Sequence, residues 1–211
     1  MLLSRAARVV AAATAASVVH GLSAGARPPE SAAALTAGPR LTVIGMGGTI
    51  DKDYPRSIRG YAFEIDEPAA GRVLSELPHN LRIDHSVVSV CRKDSTEIDD
   101  ADRQALCDAV RAVPAGGRIV VTHGTDTLVE SAQCVEASGA ARGKAVVFTG
   151  SMRPERFRES DAGFNLGGAV AAAGLLPEGT VAICMGGEVI DCRHCRRDAQ
   201  THRFVDARLV P

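Results

Sequence analysis

The stretch "LTVIGMGGTI", residues 41–50, joins an apolar run to a glycine-rich turn that ends in a threonine and an isoleucine. Its first five residues form a short continuous apolar run, which is typical of a β-strand covered on both faces. Glycines let the chain turn sharply and threonine fits at strand ends, so a purely structural interpretation of the turn exists. The second interpretation is chemical: the tight turn holds Thr49 as a nucleophile.

Strand-like and helix-like patterns alternate along the rest of the chain. This alternation predicts right-handed βαβ units and an α/β fold, a doubly wound and mostly parallel sheet with helices on both faces. No internal repeat or interdomain linker interrupts it, so residues 41–211 are predicted to form one domain. The later strands are predicted at residues 83–91, 118–122, 144–150 and 180–185, and the helices at residues 66–77, 99–113, 126–138 and 161–174.

The composition is that of an ordinary globular protein with a small polar ligand. Of the 211 residues, 45% are apolar and 23% are charged, which is enough to build a hydrophobic core. Aromatic residues make up 3%, tryptophan is absent and the formal net charge is -1. Few aromatic side chains and no basic run argue against a nucleic-acid partner. A small polar substrate fits better.

Residues 1–40 differ from the rest and are predicted to form a leader. They carry four arginines but one acid, Glu30, and an alanine- and valine-rich run before "AGA" at residues 24–26. Such a segment is typical of a secretory signal, and arginine with few acids is also typical of a mitochondrial presequence. Export and mitochondrial targeting both stay open, beside a flexible leader that is not removed. The apolar run is too short and too alanine-rich for a membrane span.

Six cysteines, at positions 91, 107, 134, 184, 192 and 195, are scattered through predicted strands and helices. This scatter predicts mostly buried, reduced thiols rather than a disulfide framework. "CRHC", residues 192–195, with His202 downstream is a weak metal motif, because no second cysteine pair exists and three arginines crowd it. We predict an ordinary loop there and no metal site.

The loops that follow the predicted strands carry the polar residues of interest. Ligands of open parallel sheets bind outside the carboxyl ends of the strands, so these loops are expected to meet at one edge. "GMGGTI" is neither a dinucleotide fingerprint nor a P-loop, so a nucleotide-binding module rests on fold class alone. The four loops are "GMGGTI", "RKDSTEI", "HGTDT" and "TGSMRPERFRESD".

Two of these loops each allow two interpretations. In "DSTEI", Ser95 and Thr96 are neutral donors for a carboxylate, or one of them caps a helix. In "HGTDT", Thr125 is suited to orient a water molecule or donate a proton, and Asp126 either holds a substrate ammonium group or caps the next helix. His123 directly follows a strand, where a packed, hydrogen-bonded histidine is the common case, so we assign it no role.

Taken together, these loops resemble the bacterial-type L-asparaginase (asparaginase/glutaminase) family. The resemblance covers residues 41–206, in order and at family-like spacing. It implies the short form with the N-terminal domain alone, because the second domain of asparaginases of the usual length would begin near Pro211. The matching motifs are "GGTI" at 47–50, "GYAF" at 60–63, "DSTEI" at 94–98, "HGTDT" at 123–127, "GSMRP" at 150–154 and "FNLGGAV" at 164–170.

The resemblance implies amide hydrolysis with threonine chemistry, namely conversion of L-asparagine to L-aspartate and ammonia. Thr49 would be the nucleophile that forms the acyl-enzyme, and Tyr61 rather than Tyr54 the mobile tyrosine that activates it. Thr125 would be the second catalytic threonine. Glutamine stays open as a minor substrate. No metal or cofactor is implied, and we expect a homo-oligomer.

The resemblance also implies how the substrate is held. Ser95 would bind the α-carboxylate of the amino acid, with Thr96 beside it. Asp126 would pair with the α-ammonium group. Backbone N–H groups of the turns would form the oxyanion site.

One position departs from the family pattern. The family pairs the threonine and aspartate of "HGTDT" with a lysine, and Arg197 stands at that position. Lysine can lose its proton on desolvation whereas arginine effectively cannot, so Arg197 can stabilise negative charge but cannot deprotonate Thr125. Two alternatives follow. Either the short form works without that base, or the chain is a catalytically weakened pseudoenzyme that binds an amino acid.

Overall fold

A six-stranded sheet is the centre of the part of the chain that the computed structural model describes, residues 40–55 and 62–209. The strands are β1 (Leu41–Gly47), β2 (Lys52–Asp53), β3 (Glu64–Ile65), β4 (His85–Lys93), β5 (Arg118–Thr122), β6 (Ala145–Thr149), β7 (Val181–Met185), β8 (Glu188–Asp191), β9 (Cys195–Arg197) and β10 (Phe204–Asp206). The helices are α1 (Ala69–Ser75), α2 (Asp100–Ala112), α3 (Leu128–Ala137) and α4 (Ala162–Leu175). The strands of the sheet lie in the order β4-β1-β5-β6-β7-β8.

The strand order places a change of winding direction between β1 and β5. In β1, Val43 lies opposite Val87 of β4 on one side and opposite Val120 of β5 on the other, and both pairings are parallel. The chain passes from β1 to β4, then crosses over to β5 and continues outward through β6 and β7. In open α/β sheets, the crevice for a ligand lies at the carboxyl ends of the two strands that flank such a switch.

Helices cover both faces of the sheet, which confirms the predicted α/β fold. On one face, α1 and α4 pack through Leu74 and Leu166 against Val43 and its neighbours. On the other face, α2 and α3 pack through Leu106 and Leu128 against the opposite side of the same strands. Because β6 and β7 are buried along their whole length, they appear in the sequence as unbroken apolar runs.

The helix bounds differ from the predicted ones where local chemistry sets the first turn. Helix α1 begins later than predicted because Pro68 is its N-cap residue, and proline restricts the residue before it to extended conformations. Helix α3 also begins later, because Thr127 is its N-cap residue. Helix α2 agrees with the prediction to within one residue at each end, and Asp99 and Asp102 cap it reciprocally.

The chain after β7 contains strands that the sequence patterns did not predict. Residues 180–185 contain the last strand that the pattern made clear, but β8 follows it and returns antiparallel to β7 through a turn at Gly186 and Gly187. Strands β9 and β10 then form a separate antiparallel pair in which Arg197 lies opposite Phe204. These elements carry Arg197 toward the loops at the carboxyl edge of the sheet.

The six cysteines are free thiols, four of them buried and two half-buried, as predicted. Cys192 is buried and Cys195 begins β9, so the prediction of an ordinary loop there is only partly right. Burial raises the pKa of both thiols to about 12. Within the described residues, no three histidine, cysteine or acidic side chains are grouped so that they could hold a metal ion.

Two predicted features lie outside the described residues. One is the leader, residues 1–40, of which Arg40 alone is described, and the other is Tyr61. The domain boundary at residue 41 therefore stays a prediction. In residues 40–55 and 62–209, no helix combines the length and the apolar character that crossing a membrane requires.

Candidate active site

Thr49 lies in a tight turn at the carboxyl end of β1. Gly47 and Gly48 have φ angles of 86° and 87°, in the left-handed region that favours glycine. The next three residues, Thr49–Asp51, form a single 3-10 turn, which the N–H group of Lys52 closes by donating to the Thr49 carbonyl. Thr49 is half-buried. The turn therefore presents this side chain at the edge of the sheet where a ligand is expected.

Close backbone contacts hold the loops after β1, β4 and β5 together. A Cβ atom on Gly48 would lie 2.3 Å from the Cα atom of Gly124, and one on Gly124 would lie 2.6 Å from the Cβ atom of Ser95. Side chains at these two positions would collide with backbone or with a buried residue, so glycine is required. The turns that carry Thr49, Ser95 and Thr125 therefore meet at the switch between β1 and β5.

Ser95 is buried and bound to the loop after β5. Its hydroxyl accepts a hydrogen bond from the N–H of Asp126 at 3.2 Å and donates to Oδ2 of the same residue at 3.5 Å. Neither Ser95 nor Thr96 caps the adjacent short helix, because Asp94 is its N-cap residue. Thr96 is exposed, and its hydroxyl donates to Asp94 at 3.2 Å. This bond lies within the turn after β4 and does not connect Thr96 to the loop after β5.

Arg197 reaches the site from β9 and forms an ion pair with Asp126. The Nη1 atom of Arg197 lies 2.5 Å from Oδ1 of Asp126. Asp126 is not the N-cap residue of α3. Thr127 occupies that position, and its side chain makes no capping hydrogen bond. Thr125, beside Asp126 in the chain, is buried. Within the described residues, Nε of Arg197 is buried and has no hydrogen-bond partner.

His123 is a structural residue, as predicted. It is fully buried, with Nδ1 2.7 Å from the Gly124 carbonyl oxygen and Nε2 2.8 Å from the Ser131 hydroxyl. Burial lowers its pKa to about 4. The imidazole is therefore neutral at neutral pH and spends both ring nitrogens on holding the loop after β5 to α3.

Two side chains that fix loops at this edge of the sheet, Lys52 and Asn165, were not singled out by the sequence patterns. Nζ of Lys52 lies 3.2 Å from Oδ2 of Asp94, which joins the turn after β1 to the turn that contains Ser95. Asn165 is buried; its Nδ2 donates to the Gly150 carbonyl at 3.0 Å, and its Oδ1 accepts from the backbone after β7 at 3.0 Å. Motif "FNLGGAV" contains Asn165, and the family resemblance of this motif was the signal that could have found it.

Tyr54, Phe63 and Phe157 form an aromatic group. The ring of Tyr54 lies 5.3 Å from the ring of Phe63, which lies 5.4 Å from that of Phe157. Tyr54 is exposed. Tyr61 lies outside the described residues, so the assignment of Tyr61 over Tyr54 stays a prediction.

A cavity of about 450 Å³ lies beside the loop after β6. Its apolar lining includes Met152, Phe164, Met185 and Phe204. None of the predicted site residues that the structure describes lines it, so this cavity is distinct from the described loops at the β1–β5 switch.

A comparison with protein families shows which family this chain belongs to. Residues 40–205 match the family described as "Asparaginase, N-terminal". The chain belongs to the asparaginase family. The resemblance drawn from the loop motifs is thereby confirmed.

Asparaginase-family relatives are similar to most of this chain, which spans less than half of their length. A glutamyl-tRNA(Gln) amidotransferase subunit of Aeropyrum pernix is 34% identical over 159 residues, which cover 72% of this chain and 36% of the relative. The probable periplasmic L-asparaginase of Haemophilus influenzae is 27% identical over 167 residues, which cover 77% of this chain and 47% of the relative.

Solved structures show the same fold. The thermostable L-asparaginase from Thermococcus kodakarensis superposes with a TM-score of 0.63 at 24% identity, over 79% of this chain and 51% of that one. L-asparaginase I from Vibrio cholerae superposes with a TM-score of 0.64 at 22% identity, over 80% and 51%. At this identity the likeness concerns the fold.

Proposed function

We propose that this chain hydrolyses a side-chain amide, converting L-asparagine to L-aspartate and ammonia through an ester on Thr49. Membership of the asparaginase family supports this proposal, as do relatives named probable L-asparaginases, among them the one from Deinococcus radiodurans at 32% identity. The observation that carries the proposal is the glycine-dependent contact of the turns of Thr49, Ser95 and Thr125 at the switch point of the sheet.

The proposed reaction has two steps. The Thr49 oxygen attacks the amide carbon, the C–N bond breaks, and the hydroxyl proton leaves with the nitrogen as ammonia. Water then attacks the ester, which releases aspartate and returns a proton to Thr49. In this proposal, Tyr61 carries the proton that leaves the Thr49 oxygen in the first step and the proton that returns to it in the second. Thr125 assists beside it. The turns supply backbone N–H groups for the negative charge that develops on the carbonyl oxygen.

Ser95 and Asp126 are the proposed substrate-binding residues. A buried hydroxyl suits the α-carboxylate, and a carboxylate suits the α-ammonium group. Thr96 completes this set in the proposal, but its exposure and its bond to Asp94 make it the weakest member. The relative from Aeropyrum pernix is named for glutamyl-tRNA(Gln) amidotransfer, so glutamine is the second substrate to test.

The second candidate function is amino-acid binding without turnover. The ion pair between Arg197 and Asp126 favours it, because the cation at this position cannot accept a proton. The presence of Thr49 and Thr125 in apposed turns favours catalysis instead. We propose the enzyme as the primary function and a homo-oligomer as its form.

Ammonia release from L-asparagine and L-glutamine by the full chain tests the proposal, with Thr49→Ala and Thr49→Ser measured in parallel. We expect Thr49→Ala to lose at least about 10²-fold in kcat/KM and Thr49→Ser to retain more, because serine keeps a hydroxyl nucleophile. Full activity in Thr49→Ala would refute the threonine mechanism. Calorimetric binding of L-asparagine without any ammonia would establish the second candidate.

A further inference from the structure

Asp51 is a buried acid in the same short turn as Thr49. It is the third residue of the 3-10 turn Thr49–Asp51, and only 3% of its surface is exposed. An acid so placed needs an explanation, because burial of an ionised carboxylate without a partner carries a large free-energy cost. The proposed reaction assigns Asp51 no role.

Hydrogen bonds make Asp51 the link between this turn and α1. Its Oδ1 accepts from the N–H of Ala69, the first residue of α1, at 2.8 Å. Its own N–H donates to the Gly48 carbonyl at 3.1 Å, and its carbonyl accepts from the N–H of Asp66 at 3.0 Å. Within the described residues, Oδ2 is buried and has no hydrogen-bond partner. One carboxyl oxygen is thus used and the other is not.

Charged groups around Asp51 do not compensate for its burial. Arg72 of α1 and Arg92 of β4 favour the ionised form, whereas Asp66 disfavours it. Both arginines are engaged elsewhere, Arg72 with Glu155 and Arg92 with Glu67. Burial is the largest influence and raises the pKa of Asp51 to about 7.

We propose that Asp51 is a positioning residue for Thr49, holding the turn in place as a neutral acid and displacing it when the carboxyl group ionises. A buried negative charge with one unpartnered oxygen would draw water or a guanidinium group toward it. The turn has only three residues, so a shift at Asp51 is transmitted to Thr49. This inference rests on the proposed function for the role of Thr49, but not for the coupling itself.

Threonine methyl groups report the coupling without any catalysis. In the full chain with isotope-labelled threonine methyl groups, the signal of Thr49 is assigned by its disappearance in Thr49→Ala. We expect it to shift with pH, with a midpoint near the pKa of Asp51, about 7. The shift should vanish in Asp51→Asn, which mimics the neutral acid. It should persist in Asp53→Asn, a matched control whose partner is Arg156.

Two results would overturn the proposal. One is a Thr49 methyl signal that does not move between about pH 5 and pH 9 in the unmutated chain, a result that stands even where Asp51→Asn does not fold. The other is a titration that is unchanged in folded Asp51→Asn. Either result shows that the ionisation of Asp51 does not reach Thr49.

The pH dependence of turnover separates positioning from mere folding. We expect kcat for ammonia release to fall on the alkaline side of neutrality in the unmutated chain and that decline to be absent in Asp51→Asn, with KM little changed. Asp51→Ala should lose about tenfold more kcat than Asp51→Asn, because the asparagine oxygen still accepts from Ala69. An identical alkaline decline in Asp51→Asn contradicts the proposal. No ammonia from any form, together with a titrating Thr49 methyl signal, would refute the proposed function but leave the coupling established.

Discussion

Arg197 and Asp126 form an ion pair that joins two distant parts of the chain. They are 71 residues apart in sequence, and Nη1 of Arg197 lies 2.5 Å from Oδ1 of Asp126. Because a guanidinium group keeps its charge at every physiological pH, Arg197 balances the charge of Asp126 and cannot act as a proton relay. A substrate ammonium group that binds Asp126 must share a carboxylate that already has a cation. We therefore expect weaker substrate binding than an unpaired carboxylate would give.

Replacement of this arginine by lysine tests whether a proton relay has been lost. We expect Arg197→Lys to raise kcat for ammonia release, because a desolvated lysine can give up its proton and accept one from Thr125. Steady-state kinetics with L-asparagine near neutral and mildly alkaline pH is the measurement. Arg193→Lys is the matched control, since Arg193 is an exposed residue paired with Asp191. An unchanged or lower rate in Arg197→Lys would mean that this chain does not use the relay.

A pair of tyrosine variants tests which phenol activates Thr49. We expect Tyr61→Phe to lower kcat by about 10²-fold or more, the scale of a lost general base. Tyr54→Phe should stay within about threefold, because the ring of Tyr54 is exposed and its contact with Phe63 does not need the hydroxyl. Loss of activity in Tyr54→Phe alone would transfer the role to Tyr54.

The contact between the loops after β1 and β5 depends on a missing side chain. Gly48→Ala places a Cβ atom 2.3 Å from the Gly124 backbone and forces alanine to a φ angle of 87°. We expect it to destabilise the fold by ~2 kcal/mol or more and to abolish ammonia release. Gly167→Ala in α4 is the control. The added Cβ atom meets nothing within 4 Å, so this variant should raise the free energy of unfolding by up to about 1 kcal/mol through the higher helix propensity of alanine. Urea unfolding measures the stability of both variants. Equal stability of Gly48→Ala and Gly167→Ala would contradict the prediction.

Local patterns in the sequence predicted the sheet and the loops, but not the contacts that depend on distant packing. Strands such as β6 were predictable because burial on both faces requires an unbroken apolar run. Strand β8 was not, because it is a four-residue edge strand in which Ile190 alone is buried. The partner of Asp126 comes from another sheet, so the family resemblance, and not a local pattern, is what placed Arg197 beside it. The burial of Asp51 depends on the docking of α1, whereas an acid after a glycine turn is typical of a surface loop.

The buried carboxyl of Asp51 also predicts how stability depends on pH. Its pKa in the folded chain is raised from 3.8 to about 7, so the unfolded chain ionises first as the pH rises. The folded state therefore loses stability between about pH 4 and about pH 7, by ~4 kcal/mol when the two values are compared. Above about pH 7 this loss of stability is complete, and below about pH 4 it is absent.

Asparagine at this position removes the titration and isolates it from other groups. Carboxylates whose pKa is lowered to about 2, those of Asp191 and Asp206, change stability at lower pH than Asp51 does, and they are the same in both forms. We expect Asp51→Asn to gain stability relative to the unmutated chain as the pH rises from about 5 to about 8. Urea unfolding of both forms at these two pH values measures the difference. A difference in the free energy of unfolding that is independent of pH would show that Asp51 ionises in the folded chain at its ordinary pKa.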